Sequence, residues 1–206
     1  LPSDGFALAA WIMPTLPGQG AQAILARRDT TGHGFALELD EAGALSLSLG
    51  DGAREERIGT GAPLRAGAWH WVAASVDLAG GEIALVQHPL DRWPLDPSDA
   101  VVTRRAPAPF AEAAGPLLIA ARALDGDAPD GCFNGKIEAP IILGRALAAS
   151  EIAALATRPT PELPRDSVLA AWDFARDLAS SRIRDESPHG HHGRVVNLPM
   201  RAVTGR

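Results

Sequence analysis

The chain has 206 residues, 46% hydrophobic and 21% charged, with a formal net charge of -6. That balance leaves no basic stripe to neutralise phosphates, so nucleic acid is not an expected partner, and no apolar run approaches the length needed to span a bilayer. A single cysteine, Cys132, excludes an internal disulfide framework and points to a reducing, cytoplasmic compartment, while the length suits one domain over residues 1–206.

Residues 6–13, FALAAWIM, carry apolar side chains at both parities before Pro14 ends the run, the pattern of a strand in the middle of a sandwich. Residues 23–26 are a short second strand. The clearest hairpin is 33–49, where Phe35, Leu37 and Leu39 alternate with Ala36, Glu38 and Asp40. Glu41-Ala42-Gly43 turns the chain, and Leu45, Leu47 and Leu49 then alternate with Ser46 and Ser48, which predicts one buried face and one wet face. Residues 54–58 read as a polar edge strand, and 67–87 as two strands around Gly80-Gly81. Residues 88–116 break the rhythm with prolines at 89, 94, 97, 107 and 109 around the basic pair Arg104-Arg105, and such a stretch is either a functional excursion or a packed arm. Residues 117–121 restore a strand.

In 133–155, FNGKIEAPIILGRALAASEIAAL, positions Phe133, Gly135, Ile137, Ala139, Ile141 and Leu143 fall on one face of an extended chain. Ile152 and Leu155 then mark one short helix over 149–156. Ala148 has no side chain to cap it, so its start is expected to slip toward Ser150. A proline-marked linker follows at 157–166, then a last strand in 168–174, VLAAWDF, and the turn ESPHGHHG at 186–193. Residues 198–206 read as the start of a further linker. With no initiator Met, the chain is expected to be a segment of a longer polypeptide.

The long strand followed by GRAL and EIAAL, the run WHWVA at 69–73, the opening FALAAWIM and the closing VLAAWDF with ESPHGHHG together resemble laminin G-like domains of the concanavalin A-like superfamily. The resemblance implies an all-β jelly-roll sandwich of two antiparallel sheets with one short helix. Residues 192–205, HGRVVNLPMRAVTG, are similar to the junction after the N-terminal domain in large subunits of N,N-dimethylformamidase-like proteins. That resemblance implies a non-catalytic, lectin-like accessory domain, with its own downstream catalytic region and partner subunits as contacts. It also implies a mononuclear iron held by tyrosine and glutamate. This chain has no tyrosine, which places such ligands beyond Arg206.

Among candidate sites, Glu38, Asp40 and Glu41 fall short of the carboxylate array that glycoside hydrolysis needs, because Ala42 stands where a third carboxylate would, and a solvated strand face is expected. His189, His191 and His192 match no standard metal-ligand spacing and read as a surface turn. Asp125, Asp127 and Asp130 offer hard oxygen ligands for calcium. Trp11, Trp69, Trp71 and Trp172 fall in strand patterns and read as core. Trp93, between Arg92 and Pro94, is placed either to stack on a sugar ring, which would make the chain a carbohydrate-binding module, or to plug into a neighbouring domain, with Phe110 beside it in the same stretch. Cys132 reads as a buried, inert thiol.

Overall fold

The computed structural model describes residues 1–105, 108–157, 165–197 and 199–201. Most of the proposed 157–166 linker, and residues 198 and 202–206 of the proposed C-terminal linker, lie outside the described residues.

The first half of the chain forms β1 (Gly5–Pro14), β2 (Gln22–Arg28), β3 (His33–Leu39), β4 (Ala44–Asp51), β5 (Glu55–Pro63), β6 (His70–Asp77) and β7 (Glu82–Pro89). Next come β8 (Ala100–Arg105), β9 (Leu118–Ile119), β10 (Ala123–Asp125), β11 (Ala128–Asp130) and β12 (Gly135–Leu143). The helix α1 (Ala149–Ala154), a 3-10 turn at Leu155–Thr157, β13 (Val168–Ala171), β14 (Arg182–Ile183) and β15 (Gly193–Arg194) complete the order. Two main antiparallel sheets result, one of six strands ordered β13-β12-β1-β6-β7-β8 and one of five ordered β5-β4-β3-β2-β9, beside the two-stranded pairs β10-β11 and β14-β15. The fold is the expected all-β jelly roll with one short helix. The hairpins around 41–43 and 80–81 fall where the turn residues predicted them, and Gly43 supplies the positive φ (85°) that its turn requires.

The six-stranded sheet is apolar on both faces. Phe6, Leu8, Ala10 and Ile12 of β1 point inward and meet Phe35, Leu37, Leu39, Leu45, Leu47 and Leu49 of the other sheet. Ala7, Ala9 and Trp11 point outward, where they join Trp71, Val86, Ile141 and Leu143 in a second core closed by Leu147, Ile152 and Leu155 around α1. Trp71 tilts against Trp11 at 5.6 Å and donates its indole N–H to the Ile152 carbonyl at 3.0 Å, tying the helix to the sheet. Trp69 is half-buried against this second core, and Trp172 lies in the first.

Three expectations are corrected. The alternation through 133–143 does not hold, because Ala139 adopts φ 47° and β12 slips one residue against β1 between the pairs Trp11/Glu138 and Ala9/Ile141. Ile137 therefore faces the inner core, whereas Ile141 and Leu143 face α1. The helix does not slip toward Ser150. It starts at Ala149, because the Glu151 carboxylate accepts the Ala148 N–H at 2.8 Å, so the acidic half of a capping box suffices. The stretch 88–116 holds both a strand and an arm: β8 adds an edge to the six-stranded sheet, and Phe110 tilts against Phe6 at 5.2 Å while the Ala111 N–H donates to the Gly50 carbonyl at 3.1 Å. Among the described residues no helix is long and apolar enough to cross a membrane.

Ile152 is fully buried under the outer face, so Ile152→Ala is expected to cost roughly 2 to 4 kcal/mol in urea unfolding. An unchanged midpoint would show that the helix is an appendage and that the outer core contributes nothing.

Candidate functional site

The outer face of the five-stranded sheet is not wet, contrary to the expectation for the hairpin. Ala23, Ala26, Ala36, Glu38, Ser46 and Ser48 are all 0–1% exposed. Polar side chains of this face, Glu38 and Ser48, are met by arginines. Arg122, entering from beyond β9, donates to Glu38 Oε2, Arg57 approaches Glu38 Oε1 at 3.3 Å, and Arg28 donates to Ser48 Oγ at 2.9 Å and to Glu55 at 2.7 Å. Burial pushes the Glu38 carboxyl above its usual range, against the pull of Arg122, Arg57 and Arg28. Asp40, two residues on, spends its carboxylate on the turn, where Oδ1 accepts from Ala42 and Ala44 at 2.9 Å, and Glu41 is exposed. These carboxylates therefore do not converge on a substrate.

A buried trio that no spacing motif announces lies where β6 and β7 meet the loop 90–99. His70 is fully buried; its Nδ1 donates to the Ala68 carbonyl at 3.0 Å and its Nε2 lies 3.2 Å from Ser98 Oγ. Ser98 Oγ in turn donates to Asp96 Oδ1 at 2.6 Å. Serine, histidine and aspartate are all present, but the aspartate grips the serine and not the imidazole, and the hydroxyl is fully buried. Burial lowers the His70 pKa to about 4, so the ring is neutral at ordinary pH. Gln87, also buried, completes the scaffold. Its Nε2 donates to Ala62 and Ser98 carbonyls at 2.8 Å, and its Oε1 accepts from Thr60 at 2.7 Å and from Leu45 of the facing sheet at 3.2 Å. The network is structural, and what it holds in place is the loop.

That loop carries Arg92 and Trp93. Trp93 is 65% exposed, with the Arg65 guanidinium 5.8 Å from its ring centre, and Arg65 also pairs with Asp96 at 3.1 Å. Arg92 is exposed, its Nε 3.8 Å from Asp99. Phe110 does not join them, because it is committed to the core against Phe6.

Asp125 and Asp130 lie on the exposed β10–β11 hairpin and Asp127 at its turn, where Arg194 donates to Asp127 at 3.0 Å. His189, His191 and His192 are exposed. The rings of His189 and His191 stack at 5.9 Å, and their turn is built around buried Asp185, which accepts from Ala171, Ser187 and His191 backbone N–H groups at 2.7–2.9 Å. Burial alone would raise the Asp185 carboxyl, yet these bonds and the Ser187 hydroxyl hold it below its usual range. Among the described residues no group of three His, Cys, Asp or Glu side chains is arranged to hold a metal. Cys132 is exposed rather than buried, beside a cleft of about 640 Å³ lined also by Gln19, Gln22, Phe133 and Asn134. Its β-bridge to Ala23 leaves the side chain on the rim.

The pH dependence of Glu38 follows from its burial. The folded state holds the proton more tightly than the unfolded chain, so stability is fullest below the ordinary value of 4.5 and is lost as pH rises through the raised pKa. Glu38→Gln is expected to flatten that decline in urea midpoints measured from acid to neutral pH. Parallel profiles for the two proteins would contradict it.

A model of the concanavalin A-like lectin/glucanases superfamily matches residues 1–87. The beta subunit of N,N-dimethylformamidase from Paracoccus aminophilus is 33% identical over 98% of this chain, and that from an Alcaligenes species 30% identical over 99%. In both cases the chain spans only 29% of the relative's length. Among solved structures, a Bacteroides ovatus protein described as a candidate carbohydrate binder superposes with TM-score 0.66 at 12% identity, covering 96% of this chain and 55% of that one. The sialidase module CBM40 of Ruminococcus gnavus, bound to α2,3-sialyllactose, gives 0.56 at 16% identity over 75% of this chain and 83% of that one. At such identities the two structures speak for the fold alone. The chain is thus a concanavalin A-like sandwich, similar over nearly its whole length to a region of N,N-dimethylformamidase beta subunits.

Proposed function

We propose that this sandwich is a non-catalytic, lectin-like accessory domain of an amide hydrolase of the N,N-dimethylformamidase kind, serving to pack against the catalytic region of its own polypeptide or against partner subunits. The observation that carries the reading is the pairing of coverages: nearly all of this chain aligns with the beta subunits, yet it accounts for only 29% of their length. The buried ionisable groups support it, since Glu38, His70, Asp96 and Asp185 are each engaged in holding strands or loops. The iron that the resemblance implies does not fit here. A chain without tyrosine lacks half of that donor set, so the metal would be held elsewhere.

Exposed Trp93 favours a second reading, a carbohydrate-binding module that stacks a sugar on the indole. The two separate cleanly by experiment. The 206-residue chain alone is expected not to hydrolyse N,N-dimethylformamide, while the longer polypeptide with iron does, and a glycan array probed with and without calcium stays silent. Turnover by the chain alone would end the accessory reading, and glycan binding that Trp93→Ala abolishes would replace it with the second.

A further inference from the structure

We infer that residues 90–101 form a preformed docking knob that seats the sandwich on the remainder of the longer polypeptide, an inference that rests on the accessory-domain reading above. Leu90, Trp93, Leu95 and Val101 are exposed by 42%, 65%, 99% and 51%, and among the described residues only Leu16, Leu178 and Met200 are other large apolar side chains so exposed. Apolar surface concentrated in one short stretch marks an interaction site more than scattered single residues do. Leu95 is the sharper sign. It adopts φ 60°, a left-handed backbone that a leucine enters only under constraint, and its side chain touches nothing that would compensate.

The constraint comes from beneath. Asp96 receives the Ser98 N–H at 2.9 Å and its hydroxyl at 2.6 Å, and pairs with Arg65. Arg65 also donates to the Asp91 carbonyl at 3.1 Å, and the loop closes on itself where Asp96 N–H meets the Trp93 carbonyl at 3.1 Å. With His70 and Gln87 buried below, the loop is ordered before any partner arrives, so docking loses little conformational entropy. Tryptophan and arginine are also the side chains that most often anchor such contacts.

The occupant is the rest of the polypeptide and not a second copy. The beta subunits extend well beyond the 29% that this chain spans, and interfaces between domains of one chain are of a size that such a knob can centre. Two clefts among the described residues are of mixed lining and do not match the knob's apolar side chains. One is lined by Gln19, Gln22 and Asn134 beside Phe133, and another by Ser75, Asp77 and Glu82 beside Ala84 and Leu147. Strand addition along β8 is opposed by exposed Arg104 and Arg105, so the contact is made by side chains. The partner surface this chemistry fits is an apolar pocket with a carbonyl for the indole N–H and a carboxylate facing Arg92.

Hydroxyl-radical footprinting of the isolated chain and of the longer polypeptide, read by mass spectrometry, tests the assignment. Trp93 and Leu95 are expected to be oxidised several-fold less in the longer polypeptide, with Leu16 and Leu178 little changed. Protection elsewhere on the sandwich with Trp93 still reactive would overturn the knob and leave the accessory reading standing. Protection nowhere would overturn both, and protection in the isolated chain that grows with concentration would assign the knob to self-association. Leu95→Asn gives a second readout. Because asparagine tolerates the left-handed backbone, the isolated chain should melt no lower than before while the longer polypeptide melts lower. A matching rise in both would contradict docking.

Discussion

The structure depends on β1 being covered on both faces. A strand reading Phe6-Ala7-Leu8-Ala9-Ala10-Trp11-Ile12 cannot leave either side in water, because every position is apolar and almost wholly buried. One side finds the leucine ladder of β3 and β4, and the other requires a second cover, which α1 and the turn after it supply through Leu147, Ile152 and Leu155. The slip at Ala139 follows from the same demand. By inserting one residue it lets β12 contribute Ile137 to the inner core and Ile141 with Leu143 to the outer one. The small residues opposite the helix, Ala7, Ala9, Ala73 and Ala84, let it lie close to the sheet.

The other sheet meets its constraint differently. Its outer face carries alanines, serines and one glutamate, which cannot form an apolar layer, and its polar members are met by guanidinium groups that engage Glu38, Ser48 and Glu55. A buried carboxylate between two arginines is the kind of grouping that suggests chemistry. Here the carboxylate is fully buried, engaged by Arg57 and Arg122 and paired across the strands with Ser46. The Ser98, His70 and Asp96 trio likewise has the membership of a hydrolytic site without its wiring. Both clusters fix geometry, and the His70 network supports the exposed loop that carries Trp93.

Much of this was legible from residues alone. The alternation in 33–49, the doubly apolar 6–13 and the WHWVA run each identified a strand, because burial of one or both faces writes a period of two or an unbroken apolar run. The exposure of Trp93 followed from its proline-rich surroundings. What escaped were features set by distant partners. Glu38 and Ser46 look wet by their letters, yet both are buried, Glu38 between Arg57 and Arg122, the latter from far along the chain. Strand β8 hid in a proline-marked stretch because its Val101, Thr103 and Arg105 face out and only Val102 packs inward. Cys132 looked like an inert core thiol because it comes just before a strand and has no adjacent base, yet its side chain sits on a rim. The His70 network joins residues of β6 and a loop with no fixed spacing, so no motif could have named it.

The claim on which this account turns is that the six-stranded sheet is sealed from both sides around β1. Native-state hydrogen exchange measures it directly. The amides of β1, bonded to β6 and β12 and shielded by two cores, should exchange only through global unfolding, with the slowest rates in the chain. If β1 amides exchange as readily as those of the edge strand β8, the outer layer does not seal the sheet, and the two-core account is wrong.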